Sequence, residues 1–216
     1  MFTNGGLSAD WAAWLAIGAT LVSALALVAL HFLSPQIYPS WRMVSEYANG
    51  NHRWVLTVVF LTWALGSFAL AFALLPAGSG WLGVAGLTFL ALAGVGEAMG
   101  GLFDINHRLH GAAFALGVPA LPIAAILLTI AARRAGLDLP IWAAVLPMLS
   151  VAVMAVSMAM LFSSLKAAGI TMSANSQPLS ALPDGVSAWN SWANRLVFAT
   201  YYLWVILAGR AVLARA

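Results

Sequence analysis

The sequence predicts an all-α polytopic membrane protein, a bundle of six transmembrane helices in which residues 1–216 form a single transmembrane domain. Three observations carry this prediction. Hydrophobic residues make up 63% of the chain and charged residues only 7%, against roughly a quarter charged in soluble domains. The apolar residues fall in runs that reach the about 20 residues a helix needs to cross a bilayer. Between the runs lie segments rich in Pro, Gly, Ser and charge, where turns belong.

The first span covers about residues 11–33 and closes at Ser34-Pro35. The first ten residues contain no Lys or Arg, unlike a secretory signal, so this span reads as a retained helix. A polar loop with two prolines and a glycine leads to the second span, about 54–75, which stops at the PAGSG turn. The third, about 81–102, contains Glu97 and a Gly100-Gly101 pair. After the polar segment FDINHRLHG comes the fourth, about 111–132, with Pro119 and Pro122 inside it and Arg133-Arg134 at its end. Neighbouring helices can satisfy the carbonyls such prolines free, usually with a kink. The fifth span covers about 140–165, a long Ser/Asn/Pro-rich connection follows, and the sixth covers about 192–212. No internal repeat is visible.

Charge and composition exclude several classes. The formal charge is +3 and the basic residues form no stripe, so nucleic acid is not an expected partner. With no cysteine, iron–sulfur clusters and c-type haem are excluded, as are disulfides. Six spans put both termini on one side, here side A, with the three polar loops on side B. His31, His52, His107 and His110 all fall towards side B, as do Glu46, Glu97, Asp104 and Asp184. The arginine count does not separate the sides. Arg133, Arg134, Arg210 and Arg215 on side A have few acids nearby, which places side A, and the termini, in the cytoplasm of a cell (plasma or inner) membrane. Tryptophans 11, 14, 41, 54, 81, 142, 189 and 192 lie near span ends, as an aromatic belt should, whereas Trp63 and Trp204 are expected to pack the bundle.

A set of short motifs adds to this. Ser45-Glu46-Tyr47 precedes Gly50 and Trp54; Phe103-Asp104 follows the third span; His110-Gly111 opens the fourth; Asn194-Arg195-Leu196 opens the sixth. In this order the set resembles domain-of-unknown-function family 998, prokaryotic membrane proteins with about six spans. The resemblance covers nearly the whole chain. It implies the fold and the importance of the side-B positions, and it implies no activity.

The side-B residues suggest several chemistries. Asp104, His107 and His110, spaced by three, would converge at a helix start and suit a divalent metal such as zinc, with Glu97 and His31 or His52 completing the shell. Alternatively Asp104 caps the fourth helix and the histidines meet water or headgroups. Glu97 is a functional candidate because an acid in a span is costly unless paired; its expected partner is Arg108 or Arg195. Arg195 would clamp a carboxylate or a lipid phosphate. Ser45, Glu46 and Tyr47 would line the mouth, with Ser45 a nucleophile if His52, His107 or His110 lay within reach. His31 reads as an interfacial histidine rather than a haem ligand. The loop between the fifth and sixth spans is long enough for a lid over side B, or is a solvated connector.

Three functions follow. The first is binding or modifying a lipid or other amphiphile, with His107, His110, Asp104 and Glu97 as catalytic candidates and Ser45, Glu46, Tyr47, His52, Arg108, Asn194 and Arg195 binding the ligand. The second is a non-catalytic accessory subunit. The third, a small transporter, finds little support without inverted repeats. Membrane lipids are the expected partners, and no partner protein is indicated.

Overall fold

The computed structural model of the chain describes residues 3–170, 179 and 181–215. These form six long helices: α1 (Thr3–Leu33), α2 (Arg53–Ala73), α3 (Gly80–Leu102), α4 (His110–Arg134), α5 (Ile141–Ala167) and α6 (Asn190–Leu213). All six are long and apolar enough to cross a membrane, and the protein is a multi-pass membrane protein. Their bounds follow the predicted spans closely. The exception is α1, which starts at Thr3, ahead of residue 11 where the predicted span begins. Apolar runs report where a helix meets lipid, not where its hydrogen bonding begins.

Neighbours in sequence are neighbours in space, and α1 closes the ring against α6. Helix α6 also meets α2 and α4, so it lies innermost, while α5 is peripheral. Without a hydrophobic drive between helices in lipid, buried hydrogen bonds and close packing hold such a bundle. Ser23 of α1 donates to the Val59 carbonyl of α2 at 2.6 Å and shares a 2.7 Å hydrogen bond with the Tyr202 hydroxyl of α6. Trp204 is fully buried, and its indole N–H donates to Thr129 of α4 at 3.1 Å. Trp63 and Trp204 therefore pack the bundle as expected.

Of the two prolines in α4, Pro122 is accommodated by α6. Pro122 has no N–H to offer the Val118 carbonyl one turn before it. The Tyr201 hydroxyl donates to that carbonyl instead, at 2.5 Å. Helix α4 then ends at a left-handed Gly136 (φ 85°), where the Leu137 N–H bonds back to Ala132 at 2.9 Å, a glycine-terminated helix end.

The helices are not level on side B. Gly100 and Gly101, almost the last residues of α3, pack against Phe60 and Leu61, which lie about two turns, roughly 10 Å, inside α2. The α3–α4 tip is therefore recessed, and the loop between α1 and α2 folds down over it through a 3-10 helix at Val44–Asn49. Asn106 of the tip donates to the Asn49 side chain at 3.0 Å.

Candidate functional site

The roof over the recess is built locally and then clamped. Glu46 accepts from the Met43 N–H at 2.8 Å and from Arg42 at 2.6 Å, closing the first turn of the 3-10 helix. Arg42–Glu46 is the one ion pair among the described residues. The clamp comes from the start of α6. Asn194 accepts from the Val44 N–H at 3.1 Å. Arg195 is buried and spreads its donors across the roof: Nε to His31 Nε2 at 2.7 Å, Nη1 to the Arg42 and Ser191 carbonyls at 3.0 and 3.1 Å, and Nη2 to the Tyr47 hydroxyl at 3.3 Å.

This arrangement corrects two expectations. Arg195 holds no carboxylate among the described residues; its Nη1 is taken by the Arg42 and Ser191 carbonyls and its Nη2 by the Tyr47 hydroxyl. His31 is not simply interfacial; its Nε2 accepts from Arg195, so its proton sits on Nδ1, which donates to the Leu27 carbonyl at 2.8 Å. Tyr47 is fully buried, with its ring edge-on to His31.

Beneath the roof lies a cleft of about 70 Å³ lined from the roof, α2, α3, α4 and α6. Its walls are mostly apolar, with Trp63, Phe60 and Phe198 on one side and Gly96, Ala113 and Gly117 on another. Phe114, exposed on the flank of α4, and Ser45 of the roof mark its outer part. On the inner wall is Glu97, 4% exposed. Ser67 of α2 donates to Glu97 Oε2 at 2.7 Å, and Oε1 has no hydrogen-bond partner among the described residues. Neither Arg108 nor Arg195 pairs with it, contrary to expectation, since Arg195 is turned to the roof and Arg108 is exposed at the tip.

Glu97 also lies deeper than its place in the sequence suggests. It is little more than a turn from the end of α3, but that end is recessed. Its partner Ser67 sits about four turns, roughly 20 Å, from the start of α2, well inside that apolar span. An acid at that depth with one hydroxyl for company is a functional candidate by default.

The residues of the α3–α4 tip are each engaged close by. Asp104 accepts from the Asn106 N–H at 2.9 Å; it does not cap α4, whose N-cap is Leu109. His107 accepts from the Leu109 N–H at 3.1 Å and stacks on Phe103. His110 donates through Nδ1 to the Phe103 carbonyl at 3.0 Å and lines the cleft. His52 approaches Ser34 at 3.5 Å. Among the described residues no three His, Asp or Glu side chains come together to hold a metal ion. The loop expected as a lid between α5 and α6 includes residues 171–178 and 180, which lie outside the described residues.

A family model described as "Protein of unknown function (DUF998)" matches residues 16–211. The chain belongs to the DUF998 family. No curated protein and no solved structure matches it. In this DUF998 chain the motifs that carried the resemblance assemble into one structure. Ser45-Glu46-Tyr47 is the roof, Asn194-Arg195 its clamp, and Phe103-Asp104 with His110 the tip beneath it.

Sequence reasoning missed Ser67, the cleft-lining role of Trp63 and the His31–Arg195 bond. A small hydroxyl in an apolar span and a tryptophan away from the belt were the available signals for the first two. No local pattern announces the third.

Proposed function

We propose that this DUF998 protein binds a membrane amphiphile, with the ligand's polar end beside Glu97 and its apolar body leaving past Phe114 into the bilayer. The observation that carries this reading is Glu97, a buried acid lining a mostly apolar cleft, whose Oε1 has no partner among the described residues. Leaving such an atom unsatisfied costs about 1–3 kcal/mol, so a ligand donor there has something to gain. The cleft has room for a polar end group and a few carbons rather than the ~300 Å³ or more of a whole drug-sized ligand. Most of the ligand would then remain in lipid, as befits an amphiphile.

The rim supports binding ahead of metal-assisted catalysis, because Asp104, His107 and His110 each serve a local turn. An accessory subunit would account for the Arg195 clamp, each of whose nitrogens has a partner, but not for the unpartnered oxygen of Glu97. With side A in the cytoplasm of the cell membrane, the roof faces the extracytoplasmic side.

The test is native mass spectrometry of the protein purified from membranes in mild detergent. The parent should carry an amphiphile at roughly one per chain. Glu97→Leu, which removes the acceptor, and Ala113→Phe, which fills the cleft, should each lower occupancy about tenfold, the equivalent of ~1.4 kcal/mol. A parent that carries no more lipid than two folded variants contradicts the reading.

A further inference from the structure

Two buried side chains that line the cleft each carry a polar atom without a partner among the described residues, and these atoms are of opposite kinds. Glu97 Oε1 is one. The other is Trp63 Nε1, also buried and without an acceptor among the described residues; both side chains line the same cleft and each is 4% exposed. The indole N–H can only donate, whereas a carboxyl oxygen accepts and, when protonated, donates. No Lys or Arg lines the cleft.

These partners discriminate among polar end groups. An ammonium has donors alone and leaves the indole N–H unmet. A carboxylate or a fully ionised phosphate has acceptors alone; it leaves an ionised Glu97 oxygen unmet and sets a second negative charge beside it with no Lys or Arg in the lining to offset it. A hydroxyl has both functions. Its oxygen accepts from Trp63 Nε1, and its hydrogen bonds Glu97 Oε1 when the acid is ionised. When the acid carries its proton on Oε1, the second lone pair of the hydroxyl receives it. An alcohol therefore satisfies both atoms in either state.

We propose that the Glu97–Trp63 pair selects amphiphiles whose polar end is a hydroxyl, held between the carboxyl oxygen and the indole N–H with its alkyl chain against Phe60 and Phe198. This rests on the amphiphile-binding reading and names its ligand class. Ser67 is a positioning residue here, fixing Glu97 through Oε2 and leaving Oε1 as the carboxyl oxygen without a partner.

The experiment uses the full chain in nanodiscs loaded with 1-dodecanol, dodecylammonium or dodecyl phosphate, with retained probe counted by native mass spectrometry. The parent should retain the alcohol about tenfold better than either charged probe. Trp63→Phe and Glu97→Leu should each reduce alcohol retention ~5–10-fold, as the loss of one buried hydrogen bond implies. Glu97→Gln, which keeps an acceptor oxygen, should retain more alcohol than Glu97→Leu, and melting temperatures of Trp63→Phe and Glu97→Leu close to the parent's separate their loss from a folding defect.

Equal or better retention of dodecylammonium, abolished by Glu97→Gln, overturns the hydroxyl assignment and leaves an amphiphile site standing. So does preferential retention of dodecyl phosphate. Alcohol retention that Trp63→Phe leaves unchanged also overturns it. If the parent retains none of the three while carrying a native lipid lost in Ala113→Phe, the hydroxyl class is wrong and the binding site remains. If it retains none and carries no native lipid, both fall.

Discussion

Arg195 is a buried cation that reaches no acid; its fork is met by carbonyls, the Tyr47 hydroxyl and a neutral imidazole. This works because guanidinium offers five donors in a fixed plane, which lysine cannot copy. Arg195→Lys should therefore release the roof. We expect a loss of about 2–3 kcal/mol, the scale of hydrogen bonds to a charged group, seen as a lower melting temperature and as new proteolytic cleavage between residues 34 and 52. Melting and cleavage like the parent's would show that the clamp is dispensable. Glu97 poses the opposite case, a buried acid whose unpartnered oxygen contributes nothing to the fold. Both residues stand out in the sequence as charges at or inside spans, but their partners do not. An Arg beside a loop and a Glu inside a helix suggest an ion pair; the roof carbonyls that claim Arg195 come from a loop conformation no local pattern encodes.

The element that places Glu97 is the α3–α4 crossing. A Cβ added at Gly96 would lie 2.4 Å from the backbone nitrogen of Gly117, whereas one added at Gly117 would meet only ordinary contacts of 3.4 Å or more. Small residues let helix backbones approach this closely in lipid. Gly96→Ala should push the hairpin apart and destabilise by about 1–3 kcal/mol, as overpacking does. Gly117→Ala should stay within ~0.5 kcal/mol of the parent, the range of changes that disturb no packing. Thermal unfolding in detergent compares the pair, and equal losses would contradict the close crossing. The spans themselves were legible because apolar runs of bilayer length have one economical solution. Their relative heights were not. The stagger that brings Glu97 level with the interior of the α2 span arises from which residues of α2 and α3 meet, Gly100 on Phe60 and Glu97 on Ser67, and each run taken alone is silent about its neighbour's level.

At the scale of the whole molecule, the recessed α3–α4 tip, the roof folded over it and the Arg195 clamp together make a sheltered cleft inside the membrane. The motif residues were legible as a group because they cluster on one side in loop order, which is why roof, clamp and tip could be named from sequence. The cleft itself was not, since its walls come largely from Phe60, Trp63, Gly96, Gly117 and Phe198, apolar or small residues indistinguishable from packing until the helices are assembled. A catalytic centre at Asp104, His107 and His110 would require those side chains to leave the turns they now hold. The central claim is that Glu97 is open to lipid-phase ligands. A membrane-permeant carbodiimide, which condenses with carboxyl groups in apolar surroundings, tests it directly when its adducts are mapped by peptide mass spectrometry. The account predicts modification at Glu97 and protection of that site by added membrane lipid extract. A Glu97 that stays unmodified, or is modified equally with and without lipid, would contradict it.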